Sequence, residues 1–180
     1  LLHGSFKETY KGHGTDRALV AGILGMMPDD ERLRDALLIA EKEGLEVHFL
    51  PADLGQVHPN TVKILMTDCD DINWEVLGSS IGGGLVEIYE INGNKVKITG
   101  EYPTIITCHD DIPGTVSKVS TLFYDNDINI AHMTLVRSQK GKDATMTFEV
   151  DNNVSEELIA AIKAVEGVIR VILINSLGGN

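Results

Sequence analysis

From Pro103 onward the chain carries a pattern that few folds satisfy. Ala144, Met146, Phe148 and Val150 alternate with Thr145, Thr147 and Glu149. A period of two belongs to a strand, whose successive side chains point to opposite faces, and here it predicts a sheet with one face covered by helices. The flanking segments supply those helices. "TIITCH" reads as a strand, "PGTVSKVSTLFYDN" as a helix, "INIAHMTLVR" and "ATMTFEV" as strands about "SQKGKD", "SEELIAAIKAVEG" as a helix and "VIRVILI" as a strand. The order is β-α-β-β-α-β, a split unit with two helices on one face of its sheet. It is expected over 101–175, with the boundary near Gly100 to Tyr102 and "SLGGN" (176–180) as a frayed tail.

Residues 1–100 mix periods instead of repeating one. Asp16 can cap a helix in which Leu19, Val20, Ile23, Leu24 and Met27 fall at helical spacing. Pro28 punctuates, and "DDERLRDALLIAEKEG" reads as a second helix, acidic in its first turn and stopped by Gly44. "LEVHFL", "TVKILMT", "NWEVLG", "LVEIYEI" and "KVKIT" are expected strands, the last two joined through Asn92-Gly93-Asn94. The whole is expected to be α/β (α+β), an N-terminal domain over 1–100 followed by the split unit. "LLHGSF" at the start reads as the inside or end of a strand, and Leu1 is not methionine, so residues ahead of it are expected to be missing.

Charge narrows the partners. With 15 basic against 27 acidic residues the net charge is -12, which opposes binding to nucleic acid or to an anionic membrane. The apolar runs fall short of the roughly 20 residues that span a bilayer. The two cysteines, Cys69 and Cys108, lie too far apart in sequence for a close-spaced zinc site and are too few for a disulfide framework. A reducing, cytoplasmic setting is expected, with a small molecule or another protein as partner and no metal ligand in this chain.

Three polar or glycine-rich stretches carry candidate chemistry. In "YKGHGTDRA", Gly12 and Gly14 flank His13 between Lys11 and the Thr15-Asp16 pair, leaving an imidazole uncovered at the mouth of a helix. "HPNT" at His58 to Thr61 reads as a turn. "SSIGGGLVEI" places Gly82, Gly83 and Gly84 just before a strand, as a tight connection or bulge would. The triple glycine fits neither a dinucleotide fingerprint nor a phosphate loop.

The split unit, with "HDDIPG" after its first strand and "NDINIAHM" opening its second, resembles the ferredoxin-like ACT domain. ACT domains bind amino acids, commonly where two copies meet. The resemblance to the serine-binding ACT domains of phosphoglycerate dehydrogenases assigns effector contacts to His109, Asp111 and Asn129, with Gly114 baring a helix N-terminus for a carboxylate. Asp111 stands where those domains place an amide, so it suits an ammonium and repels a carboxylate.

"GSFKETYKGHGTDRA", "HPNT" and "SSIGGGLVEI" in that order, ahead of an ACT domain, are similar to the β chain of the bacterial iron–sulfur L-serine dehydratases. That resemblance makes the first domain similar to the allosteric substrate-binding region of some phosphoglycerate dehydrogenases. It implies α,β-elimination of water from L-serine to give pyruvate and ammonia. It implies His13 as base for the α-proton, since an imidazole titrates near neutrality. It also implies a substrate site from Lys11, Gly12, Gly14, Thr15, Asp16, Ser80, Gly82, Gly83 and Gly84, with Lys11 pairing with the serine carboxylate. The 4Fe-4S cluster of such enzymes is expected on a separate α chain, none of its ligands coming from this chain. Self-association through the ACT unit is a further expectation. Two other readings stay open: a regulatory amino-acid-binding module without catalytic residues, and a structural dimerisation module.

Overall fold

The computed structural model describes residues 1–67, 71–137 and 139–176. Cys69 and the expected tail beyond residue 176 lie outside the described residues. No helix among those described is long and apolar enough to cross a membrane.

The expected alternation from residue 104 builds a four-stranded sheet. Its strands are β5 (Thr104–Asp110), β6 (Ile130–Arg137), β7 (Asp143–Val150) and β8 (Val168–Ile174), in the order β6-β7-β5-β8. Helices α4 (Thr115–Asp125) and α5 (Glu156–Lys163) cover one face. Ile105, Met146, Phe148 and Val150 pack there against Val119, Phe123, Leu158 and Ile162. Ser155 caps α5 by accepting from the Leu158 amide at 3.2 Å.

The other face of this sheet departs from expectation. Thr145, Thr147 and Glu149, expected on an open face, are buried. They lie beneath a second sheet, β1 (Thr61–Thr67), β2 (Asn73–Gly82), β3 (Leu85–Ile91) and β4 (Asn94–Ile98), a simple antiparallel meander. Ile91, Val96 and Ile98 of the meander share one cluster with Ile106, Ile172 and Ile174 of the other sheet. Polar side chains join across it. Thr145 Oγ1 donates to Asn94 Oδ1 at 3.1 Å, and the Thr99 amide and hydroxyl both donate to Glu149 Oε1 at 3.4 Å. Thr145 and Glu149 are thus paired across the sheets, while the Thr147 hydroxyl is buried without a partner among the described residues, and single-strand alternation cannot distinguish burial of such a row from solvent exposure.

Ahead of the meander stand α1 (Phe6–Thr9), α2 (Thr15–Ile23), a 3-10 turn over Glu31–Asp35 and α3 (Ala36–Lys42). Here the expectations need three corrections. The cap of α2 is Gly14, in the left-handed region at φ 69°, and Asp16 lies inside the first turn with its Oδ1 accepting from the Arg17 amide at 2.9 Å. The helix stops at Ile23, short of Met27, because Gly25 turns the chain at φ 74°. "LEVHFL" is extended with Leu45, Val47 and Phe49 packed beside α2 and α3, but it forms no ladder. Only Pro51, just beyond it, bridges to Leu2.

Candidate functional site

The first three motifs meet at the top of β1. Gly4 takes a positive φ of 54°, which brings its backbone so near the "HPN" turn that a β-carbon would stand 2.7 Å from Pro59 Cα. The Ser5 amide donates to the Pro59 carbonyl at 2.9 Å, and the Ser5 hydroxyl bonds to Asn60 Oδ1. The turn itself is held by His58, whose Nδ1 accepts from the Asn60 amide at 3.1 Å. From the other side the Ser80 amide donates to the Asn60 carbonyl at 3.0 Å.

Beneath this junction lies a knot of hydroxyls. Thr61 Oγ1 donates to the His58 carbonyl at 2.6 Å and lies 2.7 Å from Ser79 Oγ. Tyr89 of β3 reaches across β2 to donate to Thr61 Oγ1 at 3.2 Å and accepts from Ser79 at 3.3 Å. Thr61 and Ser79 are buried, so their mutual bonds hold three segments in one geometry. Ser5, His58, Asn60, Ser79 and Tyr89 were not singled out from the sequence. "HPNT" and the paired serines were visible as motifs, but nothing local links residues more than 50 positions apart.

The histidine loop follows directly from α1. The His13 amide donates to the Thr9 carbonyl at 3.0 Å, the Gly14 amide to Lys11 at 3.3 Å and the Thr15 amide to Tyr10 at 2.8 Å. The backbone is thus fixed while Lys11, Gly12 and His13 stay exposed. Among the described residues the His13 ring has no hydrogen-bond partner and Lys11 has no carboxylate partner. The Lys11 ammonium lies 5.8 Å from the Tyr10 ring centroid, and that ring stacks on Phe49 at 5.5 Å. Asp16 and Thr15 close the loop onto α2. The third motif makes an exposed hairpin tip: Gly82, Gly83 and Gly84 take φ values of 96°, 63° and 80° in open space. Ser80, at its base, is the one expected substrate-site residue that joins the Ser5–Asn60 junction.

The four expected effector residues are split between two ends of one sheet. His109 is buried at the end of β5. Its Nδ1 donates to the Asp110 carbonyl at 2.7 Å, and its Nε2 is buried without a partner. Gly114, at φ 93°, opens α4 above it. Asp111 is already engaged, accepting from Arg137 at 3.0 Å and from the Gly141 amide at 2.7 Å. Asn129 lies elsewhere. His109 is level with Ala144 of β7, whereas Asn129 Nδ2 donates to Asp151 at 2.7 Å just past the far end of that strand. At about 3.3 Å per residue the two levels are roughly 23 Å apart within one chain.

Comparison with known proteins agrees with this architecture. The ACT domain family matches residues 104–167. The probable L-serine dehydratase, beta chain, of Bacillus subtilis (strain 168) is 40% identical over 170 residues, which are 94% of this chain and 77% of that protein. This chain belongs to the L-serine dehydratase beta-chain family. The L-serine dehydratase, beta chain, of Peptoniphilus asaccharolyticus is 42% identical over 166 residues, 92% of this chain and 75% of that one. The D-3-phosphoglycerate dehydrogenase of Methanocaldococcus jannaschii is 29% identical over 160 residues, 88% of this chain but 30% of that enzyme.

An iron–sulfur cluster does not fit this beta chain's own side chains. A four-iron cluster takes roughly three or four thiolates, and the sequence holds two cysteines. Cys108 is built into β5 with its sulfur 4.0 Å from Thr145 Oγ1. Among the described residues no three His, Cys, Asp or Glu side chains are grouped to hold a metal ion.

Proposed function

We propose that the chain is the β subunit of a heteromeric, cytoplasmic L-serine dehydratase that converts L-serine to pyruvate and ammonia together with a cluster-bearing α chain. The supporting observation is the loop from Lys11 to Asp16, whose backbone is pinned at three amides while its base and its cation stay unpaired. A regulator has no use for such a loop, whereas an elimination needs a base that is held in place and uncovered.

The α-proton of serine must leave with its hydroxyl. His13 takes that proton at a free ring nitrogen, and Lys11 draws the substrate carboxylate to the loop by charge. Gly12 and Gly14 let the backbone approach, while Thr15 and Asp16 hold the loop to α2. The Ser80–Asn60–Ser5 junction sets the height of the Gly82–Gly84 tip relative to α1. Departure of the hydroxyl is left to the α chain. The ACT unit, resting its second face on the meander, senses an amino acid through His109, Asp111, Gly114 and Asn129 and self-associates to complete that site. We also assign 1–100 and 101–175 as the two domains.

A regulatory reading has one observation in its favour: the dehydrogenase relative matches 88% of this chain. Co-expression with the α chain, anaerobic purification and a serine-to-pyruvate assay separate the two. His13→Gln is expected to lower turnover at least about 100-fold, with assembly and iron content unchanged. His109→Gln is expected to change the response to added amino acid while maximal turnover stays within several-fold. Small effects on turnover from both would favour the regulatory module.

A further inference from the structure

The stretch from Leu50 to Asn60 forms no helix and no strand, yet it is bonded to residues 2–5 along its length. At both ends the bonds run between backbones. The Leu2 amide donates to the Leu50 carbonyl at 2.8 Å and the Ala52 amide to the Leu2 carbonyl at 2.9 Å, while the His3 amide donates to the Thr61 carbonyl at 3.0 Å and the Ser5 amide to the Pro59 carbonyl at 2.9 Å. In the middle the tie is a side chain. The Leu54 amide donates to His3 Nδ1 at 3.0 Å.

A ring nitrogen that accepts a hydrogen bond carries no proton. In this arrangement the His3 imidazole is therefore neutral, with its proton on Nε2. A second partner waits beside the same nitrogen: Asp53 Oδ1 lies 3.9 Å from His3 Nδ1 and accepts from the Gly55 amide at 2.9 Å. The opposite wall, Pro59 to Thr61, carries no charged side chain, and His58 just ahead of it bonds through its own Nδ1 to the Asn60 amide at 3.1 Å. A proton added at His3 Nδ1 turns that nitrogen from acceptor to donor. The Leu54 amide then loses its partner, and the Asp53 carboxylate becomes the acceptor that the imidazolium needs. The His3 side chain is 16% exposed and that of Asp53 90% exposed, so the carboxylate and the loop that carries it move to meet the charge. Only a short run without helix or strand joins Leu54 to Pro59, and Pro59 and Asn60 are the residues on which Gly4 and Ser5 rest.

We infer that His3 is a positioning residue for the elimination proposed above, acting through its Leu54 tether on the Ser5–Asn60 junction. The neutral ring holds the junction beside α1 and the His13 loop, and protonation, by exchanging the Leu54 amide for the Asp53 carboxylate, releases it. The inference rests on the reading of the chain as part of a serine dehydratase. Two imidazoles must then be neutral for turnover, His13 to take the α-proton and His3 to hold the turn. They differ in what can replace them. An asparagine Oδ1 stands close to where a histidine Nδ1 does, accepts from an amide and does not titrate, so it serves in place of His3 but not of His13.

Two measurements test this, one of them independent of activity. In nuclear magnetic resonance spectra of the chain, the Leu54 amide signal is expected to shift with the same midpoint as the His3 ring and to stay constant over that range in His3→Asn. In the complex with the α chain, kcat/KM of the parent is expected to fall with the square of the proton concentration on its acid limb, and that of His3→Asn with the first power, its turnover at neutral pH staying within several-fold. His3→Leu, which has no acceptor, is expected to lose at least about 10-fold in kcat/KM at neutral pH with iron content unchanged. A Leu54 signal that ignores the His3 titration, a first-power acid limb in the parent, or a His3→Asn enzyme as poor as His3→Leu would each overturn the inference. A parent complex without serine dehydratase activity would refute the reaction reading instead, and the Leu54 titration would still decide the tether.

Discussion

The two sheets of this chain bury themselves in opposite ways. In β7 every described position from Ala144 to Val150 is buried, with helices on one side and the meander on the other. Along β1 burial decays instead, from Thr61 at 0% exposed to Leu65 at 56% exposed within five residues. In the ACT unit the two inner strands, β5 and β7, are closed on both faces. The meander is packed only where it meets that unit and where the hydroxyl knot ties it, and the candidate site lies at its tied end. Closed packing gives a rigid base, and the segments with exposed polar groups and positive-φ glycines are grouped away from it.

The largest expected effect lies in the closed half. Phe148 is fully buried with its ring centroid 4.9 Å from that of Phe123. Phe148→Ala is expected to cost about 3–5 kcal/mol in urea unfolding, and a loss under about 1 kcal/mol would erase the contrast. At the tied end of the meander, Gly4→Ala puts a β-carbon against Pro59 at a positive φ, with an expected cost of about 1–3 kcal/mol. Gly12→Ala is its control: its nearest contact is 3.7 Å away and its φ is not strained. If the two alanines cost the same, the Gly4–Pro59 approach holds nothing.

The smallest effect belongs to the exposed 3-10 turn. Arg32, by its side chain and its amide, bonds to Asp30 and holds the carboxyl down from its ordinary 3.8 to about 2. A depressed folded pKa means that the stabilisation is present above pH 3.8 and is lost as pH falls toward 2. Asp30→Asn is therefore expected to show a slightly smaller loss of stability than the parent between those pH values. Equal acid sensitivity would show that this exposed pair contributes nothing.

The same contrast explains what could be read from the sequence. The strands from 104 onward, and those of the meander, were legible because side-chain alternation and the Asn92-Gly93 turn are local signals. The end of α2 and the state of "LEVHFL" were not. One depends on Gly25 taking a left-handed turn, the other on whether a neighbouring strand is present to pair with it. Lys11 to Asp16 could be recognised as a loop because glycines flank a histidine. The hydroxyl knot of Thr61, Ser79 and Tyr89 could not, since each member looks like an ordinary strand residue until the strands are stacked. His109 and Asn129 were assigned to one effector site by resemblance, with such sites expected where two copies meet; their separation along the sheet is not a local signal.

The separation of His109 from Asn129 constrains any assembly by symmetry. A single small ligand cannot touch both within one chain, so a ligand that does so must be shared between two copies. If the His109 end of one copy meets the Asn129 end of another through a two-fold axis, the same rotation carries the Asn129 end of the first onto the His109 end of the second. Half of such a pair is not geometrically available. Sites of this kind are created two at a time, one ligand per chain, and neither exists in the monomer.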